Sequence, residues 1–250
     1  MHTPDSSTYP TDGSLPWLDR ETLYQCARNR FSRGLSQLKK INHDALNVDP
    51  TSIIARAELS GMAYKEILDM DVKMRTLKSL QNAIGLFHQD ILGSCAGWQN
   101  TGTSGGVFDI SSEQPVALAG GRRVFAEVKM RYNTIKASDE KNVHDDLASA
   151  VKMNQGPKHA VGYLIQIVPK GCQAYDQPWK VSGRPALDYV RHIDGVSAYH
   201  LVTGYEDAFA QLLHALPSVF REVRREVLGT ATDDLTEPPL TSPQRSSPAL

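Results

Sequence analysis

The chain has 250 residues, 40% hydrophobic and 22% charged, with a formal net charge of -1. That profile suits a soluble globular protein with one sizeable core or two small ones, and it excludes a uniformly basic nucleic-acid coat, although a local basic patch is enough to hold phosphate. Three scattered cysteines (Cys26, Cys95, Cys172) speak against a disulfide scaffold or zinc ribbon, and neither a secretory leader nor an apolar stretch of transmembrane length is visible, so a cytoplasmic protein is expected.

Residues 1–16 are rich in Pro, Ser, Thr and Asp and read as disordered. From about Leu18 to Ile41, Leu23, Cys26, Phe31, Leu35 and Leu38 recur at helical spacing. A break at Asn47–Pro50 precedes a second helix, with Thr51 or Ser52 as its expected cap. A third and longer helix is expected from about Leu68 to Leu92, stopped by Gly93-Ser94.

The sheet is expected to begin only after the glycine-rich stretch 102–106. Three short apolar runs follow, Val107–Ile110, Pro115–Ala119 and Val124–Met130, punctuated by Gly105-Gly106 and Gly120-Gly121. They read as a strand meander. After a polar turn, Ser138 is expected to cap a helix to Met153 whose apolar face is Val143, Leu147, Ala150 and Val151. Ala160–Pro169 is apolar enough for a central strand. A helix between two strands makes a crossover, so the Val124 and Ala160 strands are expected to run parallel. Gly171–Ala186 reads as a loop, Leu187–Ile193 as strand or helix, and Val196–Val202 as a strand. Glu206–Leu228 reads as a helix despite Pro217, and 229–250, with four prolines, as a disordered tail. The fold class is therefore α/β: a mixed β-sheet flanked by helices, behind a helical N-terminal region.

Chemistry concentrates in the meander. Asp109 sits on the first run, and Glu127 and Lys129, two apart, share one face of the last. Carboxylates on adjacent strands cost desolvation energy unless a cation uses them. Asp109, Glu127 and the backbone carbonyl of Val128 offer an all-oxygen set suited to Mg2+, which activates water and neutralises a phosphodiester under attack. Lys129 could orient that water or stabilise developing negative charge. Residues 121–136 carry Arg122, Arg123, Lys129, Arg131 and Lys136 against the single acid Glu127, a local basic patch. A Glu-x-Lys triplet alone is common at this composition. The preceding acid, the glycine turns, the following helix and the long apolar strand give it context.

Asp109 with Glu127-Val128-Lys129 resembles the PD-(D/E)xK nuclease signature, with Phe108 in place of the proline. The runs Gln81–Trp98 and Phe125–Asp139 resemble the small family of type II restriction endonucleases that cut GGNCC. The resemblance covers about Leu68 to Pro169, and Asn133-Thr134 supports it. It implies a restriction-endonuclease-like sheet in a single nuclease domain over 17–228: mainly helical to 100, a catalytic α/β core over 105–203, and a C-terminal helix over 206–228. It also implies magnesium, double-stranded DNA, a homodimer on a palindromic site, and a cognate methyltransferase protecting the host. Arg131, Asn133, Thr134 and Lys136 are expected DNA contacts, while His88, Gln89 and Asp90 are candidates for an auxiliary role. Arg184 and Arg191 are further candidates for reading guanine. The alternatives are a structure-specific repair or recombination nuclease, or a non-catalytic DNA-binding module with a degenerate nuclease fold. Neither a phosphate-binding Gly-Lys-Ser/Thr loop nor a Gly-x-Ser-x-Gly elbow is present.

Overall fold

The computed structural model describes residues 12–39, 49–101, 108–171 and 173–229. The expected loop at 102–106, Val107, Cys172 and most of both expected disordered ends lie outside these residues. Residues 12–16 are described and packed. Leu15 bridges to Leu18, and Gly13 lies so close to Ser218 that a Cβ there would come within 2.8 Å of its hydroxyl.

Three helices come first, α1 (Arg20–Lys39), α2 (Pro50–Ser60) and α3 (Tyr64–Gly93). The cap of α2 is Asp49 rather than Thr51 or Ser52: its carboxylate accepts from the Thr51 N–H, and Pro50 occupies the first turn, where a missing N–H costs nothing. The third helix starts four residues earlier than expected, because the Glu66 carboxylate reaches back to the Ala63 N–H.

Among the described residues the sheet has six strands, in the order β1-β2-β3-β4-β6-β5. It opens with β1 (Trp98–Asn100), before the glycine-rich stretch and earlier than the sequence suggested. A three-residue strand gives almost no alternation to read. The first meander run is displaced to β2 (Ile110–Ser112). Pro115–Ala119 forms a 3-10 turn at Ala117–Ala119 rather than a strand, with only Val116 bridging to Arg122. Next come β3 (Arg123–Arg131), α4 (Ala137–Met153) and β4 (Ala160–Val168). β3 and β4 run parallel, as the crossover requires.

The remaining elements are β5 (Asp176–Pro178), β6 (Val190–Asp194), α5 (Gly195–Thr203) and α6 (Ala208–Leu228). The run at Val196–Val202 is a helix, not a strand. Asp194 caps it, its carboxylate accepting from the N–H groups of Val196 and Ser197, and the cap overrides the β-branched Val196 and Val202. Pro217 lies inside α6 without dividing it.

Two layers flank the sheet. On one face, Val124, Ala126 and Val128 of β3 and Val161, Tyr163, Ile165 and Ile167 of β4 join the main core with side chains from α1, α3, α5 and α6. The helices α1 and α6 meet there. Phe31 and Phe220 stack edge-on at 5.2 Å, and Arg20–Glu222 and Arg28–Glu226 ion pairs bridge the two helices. On the other face α4 packs over Phe125, Gly162 and Leu164 through Leu147, Ala148, Ala150 and Val151. Gly162 permits that approach: a Cβ there would stand 3.0 Å from the Leu147 side chain.

Candidate active site

Ser111 pairs with Phe125 and Ile110 with Ala126, and the Asp109 N–H donates to the Ala126 carbonyl at 2.9 Å. With Ile110 also paired to Ala126, Asp109 stands just before β2 against the same residue, and its charge is close enough to act on Glu127. Asp109 lies one residue before β2, and Glu127 lies on the neighbouring β3. One bond locks it: the Val128 N–H donates to Asp109 Oδ2 at 2.8 Å. Since N–H and C=O of one strand residue project to the same edge, the Val128 carbonyl lies on the Asp109 side of β3. Phe108, standing where the signature has proline, packs its ring against Phe125 at 4.9 Å and so anchors the approach to Asp109.

Lys129 Nζ donates to Glu127 Oε1 at 2.5 Å. Their side chains are 31% and 17% exposed, so both are reachable yet largely out of bulk water. Burial and the nearby Asp109 charge raise the Glu127 carboxyl above its usual range, and Lys129 opposes that shift. Such repulsion is what a divalent cation would relieve. The oxygen-only donors fit a hard cation, though two carboxylates are fewer than a dedicated cage supplies. No cluster of three or more His, Cys, Asp or Glu side chains able to hold a metal occurs among the described residues.

The exposed residues Arg131, Asn133, Thr134 and Lys136 follow directly, from the end of β3 to the cap position of α4. Thr134 Oγ1 donates back to the Arg131 carbonyl at 2.7 Å, holding the turn.

The auxiliary candidates are placed elsewhere. His88 is buried in the main aromatic cluster and shares a 2.8 Å hydrogen bond with the Tyr199 hydroxyl. Burial drops its pKa to about 4, so it is a neutral core residue. Gln89 donates to Asn100, and Asp90 accepts from Asn100 while pairing with Arg30. These two residues brace β1, whose neighbour Thr101 donates its N–H to the Asp109 carbonyl. Their spacing in α3 aims them at a strand end rather than at Glu127. A groove of about 530 Å3 beside them is lined by Glu21, Arg30, Asp90 and Asn100, but by none of Asp109, Glu127 or Lys129. Arg184 forks onto Asp145, and Arg191 grips Asp176, so both guanidinium groups have partners within the chain.

A residue that sequence reasoning passed over is Gln166. It is the Cα partner of Lys129 on β4 and lies buried on the same face. The available signal was a lone amide inside the apolar run AVGYLIQIV.

A mixed sheet with flanking helices, carrying two carboxylates and a lysine at one end of adjacent strands, defines a restriction-endonuclease-like fold. The Eco47II restriction endonuclease family pattern matches residues 15–224. The type II restriction enzyme Eco47II of Escherichia coli is 33% identical over 231 residues, covering 86% of this chain and 90% of that enzyme. The type II restriction enzyme Sau96I of Staphylococcus aureus is 21% identical over 219 residues, covering 83% and 80%. The chain belongs to the Eco47II restriction endonuclease family, and it is accordingly a site-specific restriction endonuclease. No solved structure matches it with significance.

Proposed function

We propose that this endonuclease hydrolyses double-stranded DNA within a short palindromic sequence, GGNCC in our reading, using Mg2+ and acting as a homodimer in the cytoplasm. A methyltransferase of the same system would mark the host's own sites. The observation that carries the reading is the Val128 N–H bond to Asp109, which holds that carboxylate close to Glu127, the partner of Lys129. Asp109, Glu127 and the Val128 carbonyl would hold the cation. When bound, the cation supplies charge neutralisation at the phosphate and a more acidic water. Lys129 orients the attacking water and stabilises negative charge on the phosphate oxygens. Asp109, held by a backbone N–H, keeps its carboxylate in place without relying on the substrate. Arg131, Asn133, Thr134 and Lys136 follow the phosphate backbone past the site. Two copies related by a two-fold axis would each cut one strand of a site with the same symmetry.

Digestion of DNA of known sequence, followed by sequencing of the fragment ends, tests this. Discrete fragments are expected with magnesium and none with a chelator. Asp109→Ala, Glu127→Ala and Lys129→Ala should each lower the rate by about 1000-fold or more. Random fragment ends, or full activity in a chelator, would overturn the reading.

A further inference from the structure

Beyond the paired acids and Lys129, the same face of the sheet carries a polar row that the family signature does not contain. Lys129 of β3, Gln166 of β4 and Asp194 of β6 are successive register partners. Gln166 is 8% exposed and occupies a position where Leu164, two residues earlier, packs apolar surface. A buried amide costs stability unless it is hydrogen-bonded. Its Oε1 accepts from the Tyr175 hydroxyl at 2.6 Å, and its Nε2 lies 3.4 Å from the Tyr132 carbonyl, the residue next after β3. Tyr175 is held in turn, its N–H donating to Asp194 Oδ2 at 2.7 Å and its ring lying 4.8 Å from that of His192.

We infer that Gln166 is a positioning residue for cleavage, tying the outgoing end of the Glu127–Lys129 strand to the Tyr175 loop. The inference rests on the nuclease reading above. Geometrically, the amide joins two segments by side chain: the turn after Lys129, which the Tyr132 N–H already ties to the Val168 carbonyl, and Tyr175 in the connection between β4 and β5. Through this tie Gln166 and Tyr175 hold the strand end that carries Lys129 in place. A small misplacement of a reacting group costs rate far more than it costs binding.

The test compares the parent with Q166L, Y175F and the double variant, reading DNA affinity without turnover and single-turnover cleavage at saturating enzyme. Q166L is expected to cut about 10- to 100-fold more slowly, with affinity held within about threefold. Y175F, which loses one hydroxyl, should cut about 3- to 10-fold more slowly. The double variant should be no slower than Q166L, since both changes break one chain of contacts. If the parent cuts no DNA with magnesium, the nuclease reading and this inference fall together. If the parent cuts and Q166L keeps pace, the inference alone falls. It falls equally if affinity drops in step with rate, or if the two substitutions add. Should Q166L fail to fold, the Y175F rate decides: parental speed overturns the inference.

Discussion

The two faces of the sheet are built to opposite rules. One is dry: Val124, Ala126, Val128, Val161, Tyr163, Ile165 and Ile167 meet four helices, and the His88 ring buried there is kept neutral. The other carries α4 over its middle, and Glu127, Lys129 and Gln166 lie along its end. The same strands serve both, since successive side chains point to opposite faces. What the contrast teaches is a division of labour: the dry face holds the strands at fixed spacing, and the polar end spends that rigidity on holding like charges together.

Breaking the dry face should damage the fold and spare the chemistry. Ile165→Ala, fully buried at the sheet's centre, is expected to cost about 2–5 kcal/mol, seen as a lower urea midpoint, while cleavage per folded molecule is unchanged. A loss of rate without a loss of stability would dissolve the distinction between the faces.

Acid probes the same face more gently. In the unfolded chain His88 takes up a proton as pH falls below about 6.5, whereas in the fold it resists protonation until about 4. The unfolded state therefore binds more protons across that window, and stability drops as pH falls through it, by up to about 3 kcal/mol. His88→Gln should flatten this part of the stability-against-pH curve. An unchanged curve would place the acid sensitivity elsewhere.

The smallest effect sharpens the polar side. The raised Glu127 carboxyl means that the fold holds its proton more tightly than the unfolded chain does. Metal-free stability then falls as pH rises from the ordinary carboxylate range through the raised value, and above it the strain is fully present. Glu127→Gln should abolish cleavage yet leave the metal-free protein more stable than the parent near neutral pH, as thermal melting would record. A lower melting temperature would mean that the Lys129 pair outweighs the repulsion.

Much of this was legible because it rests on local rules. Long periodic segments, the glycine turns and the apolar run of β4 carry their own signatures, and the parallel pairing of β3 with β4 follows from the crossover alone. Asp109, Glu127 and Lys129 could be singled out because charge is conspicuous on short apolar strands. The failures share a cause too. The residues 196–202 look like a strand until the Asp194 carboxylate is seen capping them, and β1 is too short to show alternation. His88 gave no hint of burial, because its partner Tyr199 is 111 residues away. Gln166 was visible as a letter, but its meaning depends on a neighbouring strand and a distant phenol.

The clasp between α1 and α6 has a bearing on synthesis. Phe31 finds Phe220, and Arg20 finds Glu222, only after nearly the whole domain has left the ribosome. Contacts that span so much chain form late, because a large loop must close before they return any stability. The part of the supporting layer that joins α1 to α6 is therefore the last to close, after the strands bearing Glu127 and Lys129 have been made.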